Sequence, residues 1–187
     1  MSDDFLTMDE EAPKPSNGIF AIRGNLDGAE DGADYYELRQ FIGLMIENEE
    51  FLLPIEVMNE IIMIRYMTYV PGSPQFVEGV INLRGRILPA INLRDMMRHK
   101  TMAPTSASRI IIANHEDDVV GLIVDGITYV VTLNPDQIED TTLSKGHGAE
   151  LLTGISKRGD VVNGILDIGK VVSEVASGMD ADYEDAS

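Results

Sequence analysis

The sequence contains no cysteine. Disulfides, thiolate metal sites and cysteine nucleophiles are therefore excluded, which suits a reducing cytoplasm. Basic residues are scarce, 14 Lys and Arg against 32 Asp and Glu, for a formal charge of -18. A chain this acidic does not favour nucleic acid or anionic lipid as a partner. A signal peptide would begin with basic residues, whereas this chain begins with Asp3 and Asp4. Its longest charge-free runs, such as Tyr66 to Val77, are short and broken by Pro. The sequence thus reads as neither exported nor inserted in a membrane.

Catalytic and cofactor signatures are missing as well. His99, His115 and His147 have no carboxylate or second His at metal-ligand spacing and read as surface residues, so no metal site is expected. Gly146-His147-Gly148 lacks the third Gly and preceding strand of a dinucleotide loop, and there is no Gly-Lys-Ser/Thr phosphate loop, so no cofactor is expected. Asp117-Asp118 and Glu139-Asp140 lie in polar contexts and read as solvated loops. Arg158-Gly159-Asp160 reads as a hairpin turn. No group fit for enzymatic chemistry stands out.

What is present is a globular core. Hydrophobic residues make up 44% of 187 residues, enough for one ordinary domain or two small ones. Residues 1–35 and 174–187 carry -7 and -5 of the net charge, leaving -6 between them. Both ends, rich in Asp, Glu, Gly and Ala, read as disordered, solubilising tails, with Ile19, Phe20 and Ile22 the only anchors for a binding role.

Between the tails the apolar pattern repeats. Phe41 to Ile46, a charged turn and Phe51 to Ile55 form a hairpin. Val77 to Arg94 forms a second, with Gly85 supplying the positive φ of a tight turn and Pro89 placing its arm at a sheet edge or bulge. Glu56 to Met63 between them could start as a helical turn and end as a strand, which periodicity over so few residues does not separate, and Leu93 to Lys100 reads as a short helix. After a linker at 102–106 the order recurs: Arg109 to Ala113 with Val119 to Val124, then Leu151 to Ile155 with Val161 to Ile168 around Arg158-Gly159, then an apolar stretch to Val175. These spacings predict a mainly β chain of two related units, about 40–100 and 107–173. Each is a small closed barrel leaning on the other across a buried seam, with a cleft between them for a ligand.

Arg84 stands out at the bend of an acidic protein, because a guanidinium is suited to gripping a carboxylate. Gly79 and Ala90 nearby are small residues in strands and permit another backbone to approach. These describe a binding surface without a reactive group.

The run Val77-Glu78-Gly79-Val80-Ile81-Asn82-Leu83-Arg84-Gly85, followed by Ile87-Leu88-Pro89-Ala90-Ile91-Asn92-Leu93-Arg94, closely resembles the signature of the CheW family, adaptors of bacterial chemotaxis arrays. The resemblance extends to Gly43–Ile61, Val119–Gly126 and Leu152-Thr153-Gly154, covering roughly 40 to 173. It implies an all-β fold of two SH3-like five-stranded barrels. It also implies a cytoplasmic, non-enzymatic adaptor, recruited to receptor arrays, that couples the tip of transmembrane chemoreceptors to the regulatory domain of the histidine kinase CheA. By matching positions, a receptor groove would include Met58, Glu60, Gly79 and Arg84, with Met58 standing where a smaller apolar residue is usual. A kinase contact would include Ile138 and Glu139. The same adaptor chemistry in pilus motility or surface sensing, or a small-ligand sensor using the cleft, are the alternatives.

Overall fold

The computed structural model describes residues 19–23, 35–100, 102–140 and 148–184. In order, the elements are β1 (Ile19–Arg23), β2 (Tyr35–Ile46), β3 (Glu49–Pro54), β4 (Met58–Met63), β5 (Val77–Leu83), β6 (Arg86–Asn92) and α1 (Leu93–Met96). They continue with β7 (Arg109–His115), β8 (Asp118–Val124), β9 (Gly126–Leu133), β10 (Ile138–Asp140), β11 (Leu152–Arg158), β12 (Val161–Leu166) and α2 (Ile168–Glu184). Single 3-10 turns at Ile55–Val57, Pro135–Gln137 and Ala149–Leu151 lead into β4, β10 and β11.

The strands form two sheets. Sheet 1 runs β1-β2-β3-β12-β11-β10, with β9 also paired to β2; sheet 2 runs β4-β7-β8-β6-β5. Each is an SH3-like array of short antiparallel strands with one parallel pairing, β3 with β12 and β6 with β8. The two-unit, all-β expectation is met, but the units are not sequential halves. Hairpin β5–β6 from the first half joins β7–β8 from the second, and β11–β12 joins β2–β3. Strand β4 likewise crosses to β7, and β9 to β2. The division at about 100 and 107 therefore does not separate the sheets: each one is completed by strands from both halves, through parallel pairings that a reading of adjacent hairpins does not reveal.

The core follows this exchange. A central cluster gathers Ile42, Leu44 and Phe51 of sheet 1, Ile91, Ile111 and Leu122 of sheet 2, and Leu93, Ile168 and Val171 of the helices. It is the expected buried seam. A second cluster, with Ile81, Leu88, Ile110 and Ile123, lies within sheet 2, and a third, with Phe41, Leu52, Val131 and Ile165, within sheet 1. Both helices are capped from the preceding strand end: the Asn92 side chain accepts from the backbone N–H of Arg94 and Asp95, and Asp167 Oδ1 accepts from Gly169 and Lys170.

Four local expectations change. Pro89 lies in an interior strand, not at an edge. It is tolerated because Val80 opposite it spends both its backbone groups on Thr68, and the β6–β8 ladder begins only at Ala90. Within the N-terminal stretch read as a tail, Ile19–Arg23 is a strand paired with Tyr35–Arg39; residues 1–18 and 24–34 lie outside the described residues. The C-terminal tail was placed from 174, yet α2 continues to Glu184 and buries Val175 in the central cluster. Finally, His99 is no surface residue: its side chain is 11% exposed, with Nδ1 2.8 Å from Glu47 Oε2. His115 is half-buried, and His147 lies outside the described residues.

Candidate binding surface

The β5–β6 hairpin closes through the two residues Arg84 and Gly85, both at positive φ (53° and 87°). That is a primed turn, whose twist matches the strands it joins. Asn82 Oδ1 accepts from the Gly85 N–H at 2.9 Å, which gives the loop amide a partner. The turn thrusts the Arg84 side chain out, 79% exposed, and across to β4, where Nη2 donates to Glu60 Oε2 at 3.0 Å. Two residues expected to meet a partner separately thus meet each other.

Met58, two positions before Glu60, is half-buried against the central cluster. Gly79 has a structural duty. It sits at a bulge with φ 147°, and a Cβ there would lie 2.4 Å from the carbonyl oxygen of Thr68. That carbonyl accepts from Val80 N–H at 2.8 Å, while Thr68 N–H donates to Val80 at 2.9 Å. The backbone that Gly79 admits is therefore the chain's own loop, which anchors the base of the Arg84 turn. Ala90 is fully buried.

Sequence reasoning missed the exposed apolar residues on the other side of the same strand. In β4 the residues alternate between half-buried and exposed, and Ile61 and Met63 are 39% and 67% exposed. Ile61 lies opposite Ile111 of the central cluster, so both share the seam-side face of sheet 2. Tyr66 beyond the strand is 90% exposed. The signal was legible in Ile61-Ile62-Met63: apolar residues on both faces of a strand require either a second core or a partner.

The two candidate kinase residues lie elsewhere, on β10 of sheet 1. Ile138 packs against the cluster inside sheet 1, so most of its side chain is committed to the fold. Glu139 projects outward and accepts a hydrogen bond from Lys157 Nζ at 2.8 Å. A cavity of about 330 Å³ lies among Phe76, Met96, Arg98, His99, Glu150 and Glu174, residues of the helices and connecting segments and not of the strands. None of the four receptor candidates lines it. Among the described residues no group of His, Asp and Glu is placed to hold a metal ion, and no helix is long and apolar enough to cross a membrane.

Comparison with known proteins decides the family. The CheW-like domain model matches residues 40–176. This chain belongs to the CheW-like family. The chemotaxis protein CheW of Helicobacter pylori is 30% identical over 141 residues, 75% of this chain and 86% of that one. CheW of Thermotoga maritima is 34% identical over 140 residues, 74% of this chain and 91% of that one. The crystal structure of the scaffolding protein TtCheW from Thermoanaerobacter tengcongensis superposes with a TM-score of 0.66 at 29% identity, covering 69% of this chain and 88% of that chain. The CheW-like region begins after β1 and ends within α2, so the acidic N-terminal stretch lies outside it.

Proposed function

We propose that this chain is a non-enzymatic chemotaxis adaptor in which β4 and the Arg84 turn form the docking face for a chemoreceptor's cytoplasmic helical tip. The observation that carries the reading is the edge strand β4, which presents the Glu60–Arg84 pair on one side and the exposed apolar Ile61 and Met63 on the other. A helix lying along such an edge buries its apolar stripe on Ile61 and Met63 while charges fix its register. Arg84, with three-quarters of its side chain in water, can turn part of its guanidinium to a receptor carboxylate without abandoning Glu60. Met58 widens the apolar floor, and Gly79 acts indirectly by holding the loop beneath the turn.

The same reading gives the adaptor a second face for the regulatory domain of CheA at β10, where the solvent-facing Glu139 is the contact and Ile138 the support beneath it. Membership of the CheW-like family supports the role, as does the description of TtCheW as a scaffolding protein. The adaptor would work in the cytoplasm at membrane-associated receptor arrays. Co-sedimentation of the full chain with a receptor signalling fragment and CheA tests this. Arg84→Glu should lower receptor-dependent recruitment at least tenfold, and Glu139→Lys should lower kinase recruitment while leaving receptor binding intact. Wild-type recruitment by Arg84→Glu would refute the docking face; absence of any recruitment by the wild-type chain would refute the adaptor reading.

A further inference from the structure

Acidic residues outnumber basic ones by 32 to 14, and Arg39, Arg84, Arg94, Arg98 and Lys157 each form an ion pair with a carboxylate. Two arginines at the C-terminal end of β4 do not. Arg65, two residues beyond Met63, is exposed and has no hydrogen bond or ion pair among the described residues. Arg109 stands at the start of β7 between Met63 of β4 and Val124 of β8, so neither cross-strand neighbour offers it a charge.

Arg109 is nevertheless held in place. Its Nη1 donates to the backbone carbonyls of Ser106 and Ser108, both at 2.8 Å. Those carbonyls belong to a turn fixed by its own hydroxyls: Ser108 Oγ accepts from the Thr105 N–H at 2.9 Å, and Thr105 Oγ1 from the Ala107 N–H at 3.2 Å. A guanidinium has five N–H donors, of which Nη1 supplies two. The other three lie on Nε and Nη2, along an edge able to pair bidentately with a carboxylate. An arginine fixed through one nitrogen and open along that edge loses little side-chain freedom when an acid arrives.

An apolar floor adjoins this edge. Met63 and Ile61, 67% and 39% exposed, share the seam-side face with Arg109. Residues on one face of a strand recur about every 7 Å, and a helix advances about 6 Å in four residues. A helix lying along β4 can therefore set residues i and i+4 on Ile61 and Met63, with an acid one turn further at Arg109 and Arg65. The Glu60–Arg84 pair lies on the other side of the strand and takes no part in this contact.

We propose that Arg109 and Arg65 form a carboxylate-binding site that selects an acidic residue of the receptor tip, one helical turn beyond the apolar residues seated on Ile61 and Met63. The proposal rests on the docking reading above for the identity of the partner, but not for the geometry of the site. Two local positive charges on a chain of net charge -18 suit a single carboxylate and not a polyanion. The site also sets the direction of the helix, since its acid must fall at the Arg65 end of β4.

Calorimetric binding of a receptor signalling fragment to the full chain gives the first test. Arg65→Gln with Arg109→Gln should weaken binding about tenfold, and Arg109→Lys alone about threefold, because an ammonium keeps the charge but not the fork. Lys100→Gln, which removes an exposed charge elsewhere, should change affinity by less than about twofold. Wild-type affinity in the double variant would overturn the proposal, as would an equal loss in Lys100→Gln, which would leave only general charge attraction. If the wild-type chain binds no receptor fragment, the docking reading fails, and a second probe decides the site. That probe is a helical peptide with two leucines four residues apart and a glutamate four residues after the second. It should shift the Arg109 Nε–H and Met63 methyl resonances of the wild-type chain, whereas the same peptide with lysine for glutamate should shift neither. Equal shifts from the two peptides, or none from either, would overturn the site.

Discussion

The two Arg-Gly hairpins look alike in sequence, yet their arginines do opposite work. In β5–β6 the residue pair closing the turn is Leu83 with Arg86, and Arg84 is in the loop. In β11–β12 it is Arg158 with Val161, so Arg158 occupies the position of Leu83, one residue earlier than the sequence match suggests. The positive φ falls on Gly159 alone in the second turn, against Arg84 and Gly85 in the first. A shift of one residue moves a side chain from solvent to the interior of a sheet. Arg158 accordingly lies 5.4 Å from the Tyr129 ring centre and donates to Tyr129 Oη at 2.7 Å.

The contrast extends through both units. Superposing the hairpins by their closing pairs sets Ile81, Leu83, Leu88 and Val119 of sheet 2 against Ser156, Arg158, Asn163 and Glu50 of sheet 1. The first group packs in an apolar cluster. In the second, Glu50 accepts from Thr128 and Tyr129 hydroxyls, each at 2.6 Å, and from the Asn163 side chain at 3.2 Å. One fold thus fills equivalent positions by dispersion in one unit and by a polar network in the other. The apolar unit exposes its arginine for binding; the polar unit consumes its arginine in the network.

The largest break in this comparison should come from the bulge glycines. Gly79→Val forces a Cβ to within 2.4 Å of a backbone oxygen and should cost about 3–5 kcal/mol in urea denaturation. Gly154→Val, where the nearest backbone oxygen lies at 2.9 Å, should cost less; equal losses would show that the Thr68 loop is no tighter than β10. Next, Arg158→Leu, copying Leu83, should destabilise by about 0.5–1.5 kcal/mol because Tyr129 and Asn163 lose a donor at a half-buried position. Converting all four positions together, Glu50→Val, Ser156→Ile, Arg158→Leu and Asn163→Leu, should restore most of that loss, since the Thr128 and Tyr129 hydroxyls that lose Glu50 and Arg158 belong to exposed residues and can bond water instead. A smaller effect, about 0.5 kcal/mol of destabilisation, is expected for Pro89→Ala, which frees the unfolded chain without adding a ladder bond. Arg84→Ala should change stability least, by under about 0.5 kcal/mol for so exposed a pair, while still weakening receptor binding.

Much of the fold was legible because hairpins are local. The strands at 41–55, 77–92, 109–124 and 152–166 and the helix after Leu93 follow from side-chain period and turn chemistry over a few residues, whereas 56–63 is too short for period to separate turn from strand. Strand β9 was not legible: Gly126-Ile-Thr-Tyr-Val-Val-Thr-Leu133 has no clean alternation, because its exposed residues run together through Tyr129 and Val130. At the docking face, the resemblance pointed to Arg84 in the signature run and to Glu60 in its extension over Gly43–Ile61, but not to the exposure of Ile61 and Met63 on the same strand as Glu60. That Ile138 packs against the sheet 1 cluster was hidden for a related reason, since whether an isoleucine on a short edge strand faces inward depends on what the strand covers.

By itself the sequence determined a β-rich chain with a repeated pair of hairpins, acidic ends and no thiol chemistry, since these properties belong to single residues or to spacings of a few. Only the tertiary structure decided that the hairpins exchange between halves, that Arg84 reaches Glu60 24 positions away, and that Arg158 turns inward. Such outcomes depend on which sheet edge a strand joins and in what register, and neighbouring residues along the chain carry no record of that choice.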